Sequence, residues 1–158
     1  MNDVLTKTLV EVVNSGALGA TVTPQGCLVN PASGLVVTLT SDNFAPEHAG
    51  PTIGAFVSRY AAVARERGLL FGVFALPSGR YSVDLNILRP ESDRARVADF
   101  AGANNQHSYW DARLGDCVTT GCTGEEGPRV NTVGQVARVA ALFADTDTDP
   151  AEVIRYCR

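Results

Sequence analysis

The sequence predicts an α+β domain, a mostly antiparallel sheet built from hairpins and covered by amphipathic helices. Three observations carry this prediction. Two pairs of short strand-like runs, within 69–88 and 108–120, are each joined by turn residues. The segments between the strand runs repeat their apolar residues at helical spacing. The 158 residues, 45% hydrophobic and 19% charged, fit one domain with a core of its own and no need of disulfide staples.

Asp3 can cap a first helix through Val4, Leu5, Leu9, Val12 and Val13, stopped by Ser15-Gly16. Ala20-Thr21-Val22 is a short strand. The run Gly34-Leu35-Val36-Val37-Thr38-Leu39-Thr40 is a longer one, bounded by Asn30-Pro31 and Asp42-Asn43. Asn30 to Gly34 reads as the turn of a hairpin that begins near Cys27. After a loop, Thr52 to Arg67 carries the clearest helical pattern: Ile53, Phe56, Val57, Tyr60, Val63 and Ala64 share one face, and Gly68 ends it. Leu69 to Leu76 and Tyr81 to Leu88 form a hairpin around Pro77-Ser78-Gly79-Arg80. In the return strand Tyr81, Val83, Leu85 and Ile87 alternate with Ser82, Asp84 and Asn86, so one face is buried. Glu91 to Ala103 reads as a helix. Ser108 to Asp111 and Cys117 to Thr120 form a second hairpin. A helix begins at Asn131, and a short element starts at Pro150, with Asp149 as its cap.

Composition removes several function classes. The net charge of −4 leaves no basic face for nucleic acid. No apolar run of membrane-spanning length occurs, and Met1-Asn2-Asp3-Val4 lacks the start of a secretory signal, so no membrane partner is expected. In a cytoplasmic setting Cys27, Cys117, Cys122 and Cys157 stay largely reduced. Cys117 and Cys122 have no second close ligand pair, so neither a metal nor a cofactor is expected. Of 13 basic residues only Lys7 is lysine, which reads first as the mark of a G+C-rich coding genome.

Four motifs bear on chemistry. Thr119 to Gly127 is Gly-rich, and Thr120, Gly121, Thr123 and Gly124 could offer backbone N–H groups to an anion. It lacks the Gly-Lys-Ser/Thr ending of a phosphate loop, and Glu125 and Glu126 oppose phosphate, so a surface loop is the simpler reading. Asp145-Thr146-Asp147-Thr148-Asp149 resembles the start of a calcium loop, but Pro150 and Tyr156 stand where glycine and glutamate are needed. Asn104 to Asp111 is the densest polar and aromatic patch. His107 beside Ser108, with Asp84 or Asp111 elsewhere, has the residue types for nucleophilic catalysis without the geometry of a triad. The simpler reading is a helix-to-strand junction in which the side chains of Asn104, Asn105 and Gln106 satisfy backbone groups and Trp110 anchors the core. Finally, Ser82, Asp84 and Asn86 point one way. They form either a small acidic floor or a water-facing surface, and the latter is the simpler expectation.

From Leu69 to Gly124 the residues Gly72-Val73-Phe74, Gly79 to Asn86, Asn105-Gln106, Ser108 to Asp111 and Thr120 to Gly124 form a pattern. It resembles small uncharacterised proteins of actinobacterial bacteriophages and related mobile elements. Cys122 departs from it, standing where glycine would be expected. The resemblance implies a phage-type accessory setting, in the host cytoplasm or the virion, and brings no catalytic residue.

The leading expectation is a non-enzymatic protein that binds a host or viral protein, with a homo-oligomer compatible with that role. The competing expectation is an enzyme or small-ligand protein using Asp84, Asn86, Gln106, His107 and Asp111, which converge only if both hairpins join one sheet. An acidic DNA decoy built from Glu125, Glu126, Asp145, Asp147 and Asp149 is a third, for which −4 is a small charge.

Overall fold

The alternating stretch and the long apolar run become neighbouring central strands. The computed structural model describes residues 2–145 together with 152 and 155. Its elements are α1 (Asn2–Asn14), β1 (Gly19–Val22), β2 (Leu28–Val29), β3 (Leu35–Phe44), α2 (Ala49–Arg67), β4 (Leu70–Ala75), β5 (Tyr81–Arg89), α3 (Arg94–Ala103), β6 (Ser108–Asp111), β7 (Asp116–Thr119) and α4 (Val133–Ala144). The strands form one antiparallel sheet in the order β2-β1-β4-β5-β3-β6-β7, curled into a half-barrel. The fold is α+β. The calcium-like run beyond Asp145 and the helix expected from Pro150 lie outside the described residues, apart from Glu152 and Arg155.

Both predicted hairpins form, as β4–β5 and β6–β7. β3 lies between them, pairing Leu35–Phe44 with Arg89–Tyr81 on one side and Val36 with Trp110 on the other. The two hairpins therefore share one sheet.

Strand alternation sorts the side chains onto two faces. Val37, Phe71, Val83, Leu85 and Tyr109 point to the helices, and all are buried. They meet Leu5 and Leu9 of α1, Ile53, Phe56 and Tyr60 of α2, Phe100 of α3 and Phe143 of α4 in one cluster. Phe56 meets Phe71 edge-on, with ring centroids 6.2 Å apart, and Phe100 meets Phe143 edge-on at 5.2 Å. Such edge-on pairs add roughly 0.5–1.5 kcal/mol to the area buried. α2 ends where expected, with Gly68 in the left-handed conformation at φ 65°. α4 starts at a capping box: the Thr132 hydroxyl accepts from the Gln135 N–H, and the Gln135 carboxamide accepts from the Thr132 N–H.

Three expectations are corrected. Asn30 to Gly34 is not a hairpin turn. β2 folds back on β1, and β3 pairs with β5, so an extra strand precedes α2. Gly34 (φ 95°) is required there, because a Cβ would stand 2.8 Å from the Arg89 carbonyl oxygen. Trp110 does not anchor the core. Its register with Val36 turns it to the helix-free face, where it is 36% exposed, and Tyr109 takes the core position instead. The Ser82-Asp84-Asn86 face is not washed by water. All three residues are buried although none of the described helices contributes to the cavity they line.

Candidate functional site

The reason for that burial is the curl of the sheet. Its helix-free face wraps around a cavity of about 660 Å³. This lies within the range of pockets that hold small organic ligands, roughly 300–1,000 Å³. β5 contributes Ser82, Asp84 and Asn86. β3 contributes Thr38, Ser41 and Asn43, and register sets Thr38 opposite Asn86 and Ser41 opposite Asp84. β4 contributes Gly72 and Phe74, and β1 contributes Thr21. Gln106, His107 and Trp110 close the far side, while β2 and β7 supply Leu28 and Cys117. Both edges of the sheet thus reach the same cavity.

The wall is built residue by residue. The Thr38 hydroxyl donates to Asn86 Oδ1 at 2.7 Å, which turns the Asn86 amide nitrogen toward β4. Gly72 makes room for it: a Cβ at this position would stand 2.8 Å from Asn86 Nδ2 and 3.1 Å from the Ala20 carbonyl oxygen. The position needs glycine for close approach, not for its backbone angles. Asn43 Nδ2 donates to the Gly124 carbonyl at 2.7 Å, tying the Gly-rich loop to the sheet.

Asp84 is the unusual member. It is 7% exposed, and its Oδ1 has no hydrogen-bond partner. Burial in this wall raises its pKa from 3.8 to about 7, against a smaller opposing effect of the Ser82 hydroxyl. Among the described residues, three buried side-chain polar atoms lack a partner: Asp84 Oδ1, His107 Nδ1 and Glu91 Oε1. The first two residues both line the cavity. Unsatisfied buried polar groups are costly, so two in residues that line one cavity single it out as the candidate site.

The sequence candidates separate into three groups. Asp84, Asn86, Gln106, His107, Trp110 and Gly124 line the cavity. Asn105, Gly121 and Thr123 border a separate depression of about 230 Å³, which Gly124 also touches. There Asn105 Nδ2 donates to the Gly127 carbonyl at 3.1 Å, and the Thr123 hydroxyl accepts from the Glu125 N–H at 3.2 Å. Thr120 and Asp111 line neither. The Thr120 hydroxyl donates to the Gln106 carbonyl and accepts from the Cys122 N–H at 3.1 Å, so it joins the loop to β6. Asp111 sits on the helix side of the sheet, buried against Arg94 at 2.5 Å. The Arg94 hydrogen bonds hold its carboxyl below the usual range. No hydrogen bond joins His107 to Asp84 or Asp111 among the described residues, so no catalytic triad is assembled. Glu125 pairs with Arg80 at 3.0 Å and does not stand free as a phosphate mimic.

Sequence reasoning missed Thr21, Thr38, Ser41, Asn43 and Gly72. For Thr38 and Ser41 the signal was present but weak: the hydroxyls of Thr38, Thr40 and Ser41 follow the apolar start of β3, and their spacing alone does not tell which of them face a cavity. Among the described residues no group of three metal-ligating side chains comes together, and no helix is long and apolar enough to cross a membrane. No family model, curated protein or solved structure matches this chain.

Proposed function

We propose that this protein binds a small organic molecule in the half-barrel cavity, with Asp84 as the group that reads it. The unpartnered, buried Asp84 Oδ1 carries the reading. A binding role fits better than nucleophilic catalysis, because Asp84 and His107 line one cavity without being hydrogen-bonded to each other. The phage-type setting suggested by the sequence pattern, in the host cytoplasm or virion, belongs to the same proposal.

A blocked cavity tests it. Ser41 faces the cavity opposite Asp84, so Ser41→Phe fills the space beside the carboxyl. A metabolite and fragment screen read by thermal shift and by fluorescence of Trp110, the sole tryptophan, is expected to give ligands that act on the native chain and not on Ser41→Phe. Ligands that bind both equally would overturn the proposal, as would a screen with none.

Exposed apolar residues at the cavity rim support a second reading, binding to a host or viral protein. Leu18 is 80% exposed and Leu28 68%, and both border the cavity. Capture of a protein from host lysate that survives Ser41→Phe but is lost in Leu18→Ser/Leu28→Ser would favour this reading.

A further inference from the structure

The charge pattern of the cavity narrows the ligand class, an inference that rests on the small-ligand reading above. Among the described residues no lysine or arginine lines the cavity. Its titratable groups are Asp84 on β5, His107 before β6, and Asp116 and Cys117 on β7; β1, β2, β3 and β4 contribute none. A ligand anion such as a phosphate or carboxylate would find two carboxyl groups and no fixed counter-charge. The aromatic side chains of Phe74 and Trp110 line the same cavity. Aromatic faces attract cations, and an opposite charge stabilises a buried carboxylate more strongly than the single Ser82 hydroxyl does.

We infer that the cavity takes an organic cation: a protonated amine on an apolar body, its ammonium N–H donating to the Asp84 carboxylate. The Asp84 carboxyl, whose pKa burial holds near 7, then gives up its proton on binding. The exchange balances: a neutral carboxyl and an ammonium ion become a carboxylate–ammonium pair, and one proton leaves to buffer. Below neutral pH that proton must be removed against its own affinity, so binding weakens as pH falls. His107 and Asp116 face the same space; the half of the test that uses Asp84→Asn separates their titration from that of Asp84.

Three probes share one apolar body and differ in their head group: 4-phenylbutylamine, 4-phenylbutan-1-ol and 4-phenylbutanoate. Calorimetric titration of the full chain at pH 8 is expected to place the amine at least about tenfold tighter than the alcohol, with the acid weakest. Between pH 8 and pH 6 the amine is expected to lose about tenfold in affinity, because it stays protonated throughout while Asp84 takes up its proton. Titration at pH 7 in buffers of different ionisation heat reads the proton released. Asp84→Asn, nearly the same in shape, should remove the amine's advantage and leave the alcohol's affinity within about twofold. If the alcohol or the acid binds as tightly as the amine, or if the amine's advantage survives Asp84→Asn, the cation inference is wrong while the cavity reading stands. If none of the three binds and Trp110 fluorescence does not respond, both fall.

Discussion

Asp84 and Arg96 show opposite ways of burying a charge. Asp84 is buried without a charged partner and answers by holding its proton. The folded chain therefore keeps a proton that the unfolded chain releases between about pH 4 and pH 7, so this contribution to stability is complete at low pH and is lost as pH rises to 7. The rise in pKa from 3.8 to about 7 corresponds to roughly 4 kcal/mol at most. Asp84→Asn should flatten this part of the pH dependence and raise stability at pH 8 relative to the native chain, as urea unfolding at pH 5 and pH 8 would show. Arg96, 5% exposed, is fully partnered instead. It holds Asp93 through two hydrogen bonds of 2.8 Å and donates to the carbonyls of Leu142, Phe143 and Asp145 at the end of α4. Although burial opposes it, the hydrogen bonds from Arg96 and Arg89 hold the Asp93 carboxyl below its usual range. Arg96→Ala would leave Asp93 with Arg89 as its remaining partner and the carbonyls at the end of α4 without their donor. It should cost about 2–4 kcal/mol in denaturant unfolding, and an unchanged midpoint would show that the network contributes nothing.

At the scale of elements, the junction after α3 holds the sheet and α4 together. β3 carries a bulge between Thr38 and Thr40, which releases the Leu39 carbonyl from the ladder. Asn104, fully buried, donates to that carbonyl at 2.9 Å and accepts from the N–H groups of Arg129 and Val130, both at 2.9 Å. The patch from Asn104 to Gln106 thus satisfies backbone groups, as the sequence suggested, and Asn104 does most of it. Asn104→Ala leaves three backbone groups without this partner, two of them buried, and should lower stability by about 2–4 kcal/mol in urea, each buried group costing roughly 1–3 kcal/mol with partial relaxation. β4 depends on a small residue in the same way. Gly72→Ala would press on the Asn86 amide and on the β1 backbone, costing about 1–3 kcal/mol and weakening whatever the cavity binds. A Gly72→Ala protein with unchanged melting temperature and unchanged ligand affinity would refute that account.

At the scale of the molecule, the curl of the sheet turns a polar strand face into a site. A flat sheet would leave Ser82, Asp84 and Asn86 in water. The half-barrel instead buries them in a wall that β1, β3, β4 and the β6–β7 hairpin complete. A cavity-bound ligand joins both halves of that wall, so it should raise the melting temperature of the whole chain as one transition, visible in calorimetry. The sequence alone determined the α+β class, both hairpins, the helix ends at Gly68 and near Asn131, and the one-sided alignment of Asp84 with Asn86. Each of these follows from local periodicity, capping and turn chemistry, which act over a few residues. The tertiary structure decided that β3 lies between the hairpins, that Asp111 faces the helices and Trp110 the cavity, and that Thr38, Ser41 and Gly72 belong beside Asp84. Those facts depend on strand order, register and curl. Pairing between residues as far apart as Thr38 and Asn86 leaves no periodic trace in either segment, and a shift of one residue exchanges every side chain between core and cavity.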